Sequence, residues 1–318
     1  MKKIIICLLL LCGFGSTQAL AIGYLCPADS YYTEMSERVQ DSMLYAIHDC
    51  KTGNLSYVLG TFHTSNAKVL KSIAYVKKYV SRSKQAWFEI NLQPSKNEGD
   101  EQRKLQQMML LPSNSKNNNS KNLQHIIGAD YFAKMLKLLQ RKNPNFAGAL
   151  IERYKPWAAA ITLQMLEIEI DGTVMDDMLQ QYAKSNKIEV KALETAMDQL
   201  KIFDGLSDAE QLTLLQEAID NYDVMAGLSK QMMAYYLQGE LHNVAKTADD
   251  AMKLSDAPVN AKLEDLLVHK RNAQMVEKLK PVIGDGIFVA VGALHLSGKT
   301  GLLQQFEDAG YGVYGIYE

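Results

Sequence analysis

Two short segments of the chain place a histidine at the same distance after an apolar strand. Residues 57–63 read YVLGTFH and residues 289–295 read VAVGALH, so that a glycine, two residues and a histidine follow the strand in both. An amphipathic helix and another strand are predicted after each histidine. Imidazole nitrogens bind transition metals and accept protons. Because packing alone does not require the same histidine twice, we take His63 and His295 as candidate site residues.

Two glutamates are predicted at the ends of other strands. The segment from Gln85 to Leu92 alternates apolar and polar residues around Glu89, and the strand from Ile188 to Leu193 is followed by Glu194. Parallel strands of an open α/β sheet place their carboxyl ends at one edge, where such sheets bind ligands. We therefore expect both glutamates to line one crevice with the histidines. Two imidazoles and one or two carboxylates suit a divalent transition metal, and they equally suit a metal-free general-base site.

The elements around these residues predict an α/β fold. Apolar segments at 44–47 and 55–59 form a β-hairpin, and an amphipathic helix follows His63 before the next strand. A strand, a helix and a strand in this order favour parallel pairing. The glycine of each GxxH segment is expected to permit a sharp turn at the end of its strand. We predict a central mixed β-sheet from two duplicated strand-GxxH-helix-strand halves, with a mostly helical insertion between them.

Residues 22–318 are expected to form one domain with two inserted regions. The first, at about 94–122, is polar and rich in Asn, Ser and Lys, which is typical of a surface excursion. The second, at about 130–280, is mostly helical. Its methionines include Met225, Met232 and Met233. Methionine side chains are adaptable, so these are filler in the core or, alternatively, the lining of an apolar groove.

Composition narrows the possible partners. A hydrophobic fraction of 47% is enough to bury a core, so the chain is not of a disordered class. The net charge of −2 gives no support for nucleic-acid binding, which requires a basic surface. We therefore expect no nucleic-acid partner, and the charge points to no other particular partner.

The first residues have the pattern of a secretory signal peptide. Lys2 and Lys3 precede an apolar run at 4–11, and residues 19–21 read ALA, a small-x-small cleavage motif. The apolar run is far shorter than the ~20 residues that span a bilayer. We expect cleavage after residue 21, a mature protein without an integral membrane span, and a periplasmic or secreted location.

Cleavage at this point decides which cysteines remain. It would remove Cys7 and Cys12 and leave Cys26 and Cys50. Two cysteines in an oxidising compartment favour one disulfide bond between Cys26 and Cys50. The alternative is a pair of free thiols.

Taken together, the order of several motifs resembles the TraB/GumN/TIKI family, which is related to the erythromycin-esterase and ChaN-like proteins. The resemblance runs from about residue 40 to the end, and 94–122 match poorly. The segments that carry it are LGTFH at 59–63, Glu89, KPW at 155–157, LET at 193–195, Arg271-Asn272, VGALHLSG at 291–298, and 301–313.

The resemblance implies a central mixed sheet and a site made of both GxxH histidines and a glutamate. Carried over to this chain, His63, Glu89 and His295 would bind metal or activate water. The resemblance also makes Arg271 a candidate clamp for an oxyanion or a carboxylate. Glu194 would be a further metal ligand or a group that orients a histidine.

The resemblance leaves the reaction open. Animal TIKI members are described as metal-dependent proteases that favour manganese or cobalt, whereas erythromycin-esterase relatives are thought to use a histidine base without metal. The leading hypothesis is an exported, peptidase-like hydrolase that acts on a peptide or small-molecule substrate and depends on a divalent transition metal, namely manganese, cobalt or zinc. One alternative is a non-catalytic protein that binds metal, haem or a peptide. Another is a metal-free esterase with His63 as general base.

Overall fold

A computed structural model of the protein describes residues 41–92, 98–112, 122–170, 172–255 and 258–317. The signal peptide, Cys26 and parts of the polar insertion fall outside these residues, so cleavage and the disulfide bond to Cys50 stay predictions. In the ranges just given, no helix is both long enough and apolar enough to cross a membrane.

The strands of the described residues form one mixed six-stranded sheet in the order β4-β3-β5-β2-β1-β6. They are β1 (Leu44–His48), β2 (Leu55–Thr61), β3 (Gln85–Phe88), β4 (Glu189–Ala192), β5 (Phe288–Gly292) and β6 (Gly312–Ile316). Neighbours from β4 to β2 are parallel, whereas β1 runs antiparallel to both β2 and β6. The predicted α/β class with a mixed sheet is therefore confirmed.

Helices flank and interrupt this order of strands. They are α1 (Ala67–Lys71), α2 (Ile73–Ser81), α3 (Glu98–Met109), α4 (Leu123–Ile127), α5 (Ala129–Lys142), α6 (Gly148–Ile151), α7 (Pro156–Gln164), α8 (Met175–Ser185), α9 (Ala196–Asp204), α10 (Asp208–Asp220), α11 (Tyr222–Leu237), α12 (Leu241–Met252), α13 (Pro258–Glu264), α14 (Lys270–Leu279) and α15 (Leu302–Asp308). A π-helical turn at Asp265–His269 joins α13 to α14, and a 3-10 turn at Ala293–His295 follows β5. The predicted helical character between β3 and β5 is confirmed, with β4 as the one predicted interruption.

The hairpin and the strands behind it form the core that carries the site. Leu44 of β1 lies opposite Leu59 of β2, as expected for the predicted hairpin. All residues of β5 are buried, which indicates that both faces of the sheet are covered at its centre. A second apolar cluster lies among the helices, where Trp157 stacks on Phe203 with their ring centroids 6.0 Å apart.

The predicted duplication of the two halves is not confirmed. The strand that follows His63 is β3, which pairs in parallel with β5. The strand that follows His295 is β6, which lies at the edge of the sheet and pairs with β1. The two GxxH elements therefore begin on neighbouring parallel strands but continue to non-equivalent places in the sheet.

Candidate active site

The carboxyl ends of the parallel strands bring three of the predicted side chains to one point. His63 Nε2 lies 4.0 Å from Glu89 Oε2, and His295 Nε2 lies 3.7 Å from Glu89 Oε1. The side chains of the two histidines and Glu89 are 1%, 0% and 1% exposed. The carboxylate of Glu89 thus lies against both imidazoles in the protein interior.

Gly60 allows the two GxxH segments to touch. A Cβ atom on Gly60 would lie 2.9 Å from the backbone Cα of Ala293 and 2.9 Å from Leu296 Cδ1. The sequence-based reason for this glycine, a sharp turn, is wrong, because Gly60 lies within β2 and its φ is not positive. Close approach of the second segment requires the glycine instead.

His63 is oriented by a carboxylate. Its Nδ1 lies 2.6 Å from Asp176 Oδ2, and the other oxygen of Asp176 accepts a hydrogen bond from Thr61 Oγ1 at 2.9 Å. Asp176 is in the first turn of α8 and is buried. Burial lowers the pKa of His63, but the charge and hydrogen bond of Asp176, with the charge of Glu89, outweigh burial and raise it above its ordinary value. In the neutral imidazole, Nδ1 carries the proton that faces Asp176, and Nε2, which faces Glu89, has the lone pair.

His295 is oriented by a neutral amide. Its Nδ1 lies 2.6 Å from Asn272 Oδ1. Asn272 Nδ2 donates to the carbonyl oxygen of Thr300 at 2.8 Å, which fixes the amide with its oxygen toward the imidazole. Nδ1 of His295 must therefore carry the proton that is donated to Asn272. In the neutral imidazole, Nε2 then has a lone pair and no hydrogen.

Arg271 is buried and clamps carboxylates. Its Nη2 contacts both Glu89 Oε1 and Glu194 Oε1, and its Nε donates to both oxygens of Glu194 at 3.1 Å. Gln199 Nε2 donates to Glu89 at 3.0 Å and to Glu194 at 2.8 Å. The backbone N–H of Gly292 donates to Glu89 Oε2 at 3.0 Å. Glu194 therefore contacts Arg271 and Gln199, the two residues that also hold Glu89.

These contacts keep Glu89 ionised. Burial raises the pKa of the Glu89 carboxyl, but the charge of Arg271 beside it lowers the pKa further, so the pKa lies well below its ordinary range. An ionised carboxylate is then present between the two histidines at neutral pH.

The Nε2 atoms of His63 and His295 are buried and have no hydrogen-bond partner among the described residues. Buried polar atoms are nearly always hydrogen-bonded or bound to an ion or water. Two bare lone pairs beside a carboxylate attract a cation or a proton donor, and this donor chemistry fits a transition metal ion. The residues that could hold such an ion are His63, His295 and Glu89. As placed, the described side chains contain no group of three or more His, Cys, Asp or Glu already arranged around one ion position.

A family model adds independent information about the whole chain. The model described as the TraB/PrgY/gumN family matches residues 43–314. The chain belongs to the TraB/PrgY/gumN family. The matched range contains both GxxH segments and the other three predicted site residues, Glu89, Glu194 and Arg271. A search of curated proteins found no match.

Sequence patterns missed part of this candidate site. Asp176 lies 113 residues from His63 and Gln199 lies 110 residues from Glu89, so no local spacing connects them. Asn272 appears in the sequence only as the neighbour of Arg271. A polar residue on the buried face of an amphipathic helix is the one signal that could have identified Asp176 and Gln199, since both are buried beside apolar residues of α8 and α9.

Proposed function

We propose that the protein is an exported hydrolase that cleaves a peptide or a similar amide or ester bond with the help of a divalent transition metal. The observation that carries this proposal is the pair of bare Nε2 atoms, on His63 and His295, that face the ionised carboxylate of Glu89. Membership of the TraB/PrgY/gumN family is compatible with such a site.

The contacts of each residue indicate the role that it would have in this proposal. His63 and His295 would bind the ion through Nε2, and Glu89 would supply a carboxylate ligand. A bound divalent ion polarises a carbonyl group and lowers the pKa of water. Asp176 and Asn272 hold the imidazole rings through Nδ1, as partners behind metal-binding histidines commonly do.

Arg271 has a supporting role in this proposal. Its guanidinium holds Glu89 and Glu194 in place and keeps Glu89 charged, so that the carboxylate faces the histidines. Since its donors already contact these carboxylates, Arg271 positions the site and does not serve as an oxyanion clamp.

A metal-free esterase is the second candidate, and one observation favours it. The contact from Asp176 to His63 Nδ1 orients Nε2 as a proton acceptor and raises the pKa of His63 after burial is offset. A carboxylate, an imidazole and a bare Nε2 are the arrangement of a general base. In this candidate, His63 would take a proton from water, and His295 would bind the substrate.

The test is hydrolysis of a panel of fluorogenic peptides and aryl esters, together with elemental analysis of the purified protein. We expect one manganese, cobalt or zinc ion per chain, and we expect His63→Ala and His295→Ala to lose both the ion and the activity. His125→Ala, a change at an exposed histidine, is the matched control. Full activity in a strong chelator would favour the esterase candidate. Normal metal content and activity in both variants would contradict both candidates.

Export rests on the N-terminal pattern of Lys2, Lys3, the apolar run and the ALA motif. We expect the mature chain to begin at Ile22 and to occur in the periplasm or the medium. N-terminal sequencing after cell fractionation tests this, and an intact N-terminus in the cytoplasm would contradict it.

A further inference from the structure

The loop that follows the second histidine contributes a backbone carbonyl group to the site. Residues 296–301 form this loop, and Thr300 lies in it at the surface. The carbonyl oxygen of Thr300 accepts a hydrogen bond from Asn272 Nδ2 at 2.8 Å, and Asn272 Oδ1 lies 2.6 Å from His295 Nδ1. Asn272 and His295 are buried. An exposed loop residue is therefore in direct contact with the amide that holds a buried histidine.

The direction of the Asn272 amide decides which nitrogen of His295 carries hydrogen. In the observed direction, Oδ1 accepts the Nδ1 hydrogen, and Nε2 of the neutral imidazole keeps a lone pair. In the reversed direction, Asn272 Nδ2 would donate to Nδ1, so the hydrogen of the neutral imidazole would have to lie on Nε2. An Nε2 atom that carries hydrogen can neither bind a metal ion nor accept a proton.

The Glu89 carboxylate favours the reversed direction. It is ionised, and its Oε1 lies 3.7 Å from His295 Nε2. A hydrogen on Nε2 would point toward this negative charge, which attracts N–H donors. The position of the hydrogen on His295 is therefore a competition between Glu89 at Nε2 and Asn272 at Nδ1. Asn272 must win for Nε2 to remain bare.

The carbonyl group of Thr300 opposes the reversed direction. A reversed Asn272 would place Oδ1 against the Thr300 oxygen, at the 2.8 Å that a hydrogen bond now spans. Two acceptors at this distance repel, and the buried amide would lose a hydrogen-bond partner, which is unfavourable. The position of one backbone carbonyl therefore sets the direction of the amide.

Two side chains hold Thr300 in its place. His269 Nδ1 lies 2.7 Å from Thr300 Oγ1, and Gln305 Nε2 donates to the Thr300 carbonyl oxygen at 2.8 Å. His269 ends the π-helical turn and Asn272 lies three residues later in α14, a spacing that places both side chains on one face of a helix. This helical stretch therefore binds Thr300 twice, through its hydroxyl group and through its carbonyl group.

The backbone of the loop is restricted to one shape. A Cβ atom on Gly301 would collide with the carbonyl oxygens of Leu296 and Ser297. The N–H of Gly301 donates to the carbonyl oxygen of Gly298 at 3.0 Å, and Gly298 has a φ of 82°, which favours glycine. The loop therefore presents the Thr300 carbonyl at a defined position.

We propose that Thr300 is a positioning residue of the candidate site, whose carbonyl group fixes the Asn272 amide and thereby keeps hydrogen off Nε2 of His295. His269 and Gln305 hold Thr300 in that position. The proposal deepens the proposed function and rests on it for its consequence, since the metal ion is proposed to bind through Nε2. The three residues act through Asn272 and are not catalytic residues.

The position of the hydrogen can be observed without turnover and without metal. The measurement is ¹H–¹⁵N NMR of the imidazole side chains in protein labelled with ¹⁵N-histidine. Imidazole nitrogens with and without hydrogen give well-separated ¹⁵N signals, and the His295 signals are those missing from His295→Gln. At about pH 8, where an ordinary imidazole is neutral, we expect His295 of the wild type to carry its hydrogen on Nδ1.

Variants at the surface test the contacts that hold the carbonyl group. The double variant His269→Phe/Gln305→Met removes both side chains that hold Thr300, and the ratio of the two His295 tautomers should change by about tenfold toward hydrogen on Nε2. Thr300→Val removes only the hydroxyl group and should change the ratio in the same direction by less. Thr300→Ser keeps the hydroxyl group and should keep the wild-type ratio.

A second double variant is the matched control. His125 is an exposed histidine whose Nδ1 also lies 2.6 Å from a side-chain oxygen, that of Asn122. Gln304 precedes Gln305 on α15 and donates to Asp308 at the surface. His125→Phe/Gln304→Met should therefore leave the His295 signals unchanged.

Titration with Co²⁺ separates this proposal from the proposed function. We expect His269→Phe/Gln305→Met to bind Co²⁺ about tenfold more weakly than the wild type. An unchanged His295 tautomer in this variant, or an equal change in the control, would overturn the role of Thr300 even if the wild type binds the ion. A changed tautomer in a protein that binds no Co²⁺ would keep that role and contradict the proposed function. If circular dichroism shows that the double variant does not fold, equal tautomer ratios in Thr300→Val and Thr300→Ser would overturn the proposal.

Discussion

The two GxxH segments resemble each other in sequence but differ in what lies behind each histidine. In both segments a side-chain oxygen lies 2.6 Å from Nδ1 of the histidine, and Nε2 has no hydrogen-bond partner among the described residues. Behind His63 the oxygen belongs to the Asp176 carboxylate, whereas behind His295 it belongs to the Asn272 amide. The repeated pattern therefore gives two histidines the same orientation and different charges behind them.

Under the proposed function, this difference would give the two histidines unequal tasks. A carboxylate stabilises a protonated imidazole, so His63 is the better place for a proton to arrive. The Asn272 amide holds the His295 ring without adding charge, so His295 would serve mainly as a ligand. Asp176 comes from α8 and Asn272 from α14, so helices inserted between the segments create the asymmetry.

The largest expected loss of stability comes from removing Arg271, the partner of the Glu89 carboxylate that lies against both histidines. Arg271→Met leaves Glu89 buried beside both histidines without its guanidinium partner. Loss of one partner of a buried ion pair costs about 3–5 kcal/mol of unfolding free energy. Urea denaturation followed by circular dichroism measures it.

Arg141→Met is the control for this variant. Arg141 pairs with Asp223 at the surface, at 2.9 Å, and we expect little change in stability because exposed ion pairs contribute little. Equal stability losses in the two variants would show that the cluster of Arg271, Glu89 and Glu194 is no more important than a surface pair.

The next largest expected loss of stability comes from disturbing the contact between the two GxxH segments. Gly60→Ala places a methyl group 2.9 Å from the backbone of Ala293, so one segment must shift. Such overpacking costs about 1–3 kcal/mol. The same denaturation experiment measures the loss.

Gly227→Ala is the matched control because a Cβ at that position of α11 meets nothing within 4 Å. This substitution should stabilise the protein by about 0.5–1 kcal/mol, since alanine favours helix more than glycine does. If Gly60→Ala were equally harmless, the two segments would not be in close contact.

A smaller expected effect concerns the partner of each histidine, which is a carboxylate in the first segment and an amide in the second. Asp176→Asn gives His63 an amide partner like that of His295, and the pKa of His63 should fall because the charge of Asp176 is removed. A histidine with a raised pKa in the folded state adds stability that is fully present below about pH 6.5 and lost as pH rises through the folded pKa. In metal-free protein, the variant should therefore lose less stability than the wild type as pH rises above 6.5.

Unfolding free energies between about pH 6 and pH 9 measure this slope. Asp177→Asn makes the same change in charge one residue further along α8 and should keep the wild-type slope. An unchanged slope in Asp176→Asn would mean that the Asp176 carboxylate does not govern the protonation of His63.

Much of the fold followed from local pattern. The alternation around Glu89, the strand before Glu194 and the hairpin of β1 and β2 were all identified. The observed β1 and β2 are longer than predicted by one and two residues, and β3 and β4 are shorter by four and two. Period-2 and helical patterns report burial of one face, which local sequence determines. Parallel pairing also followed, because a helix separates the strands in the chain.

The order of the strands in the sheet and the buried contacts of the site could not be predicted from local sequence pattern. The pattern could not show that β5 lies between β2 and β3, because that order depends on contacts between distant parts of the chain. For the same reason, the pattern treated the two histidines as equivalent and missed Asp176. It also assigned Gly60 to a turn, although the second segment, more than 200 residues later, is what requires the glycine.

Titration of the metal-free protein with Co²⁺, followed by calorimetry and visible absorption, tests most directly whether the two segments form one site. We expect one ion per chain in the wild type, loss of binding in both His63→Gln and His295→Gln, and weakening by about 10- to 100-fold in Asp176→Asn. His125→Gln should bind as the wild type does. Normal Co²⁺ binding by either His63→Gln or His295→Gln would contradict a shared site.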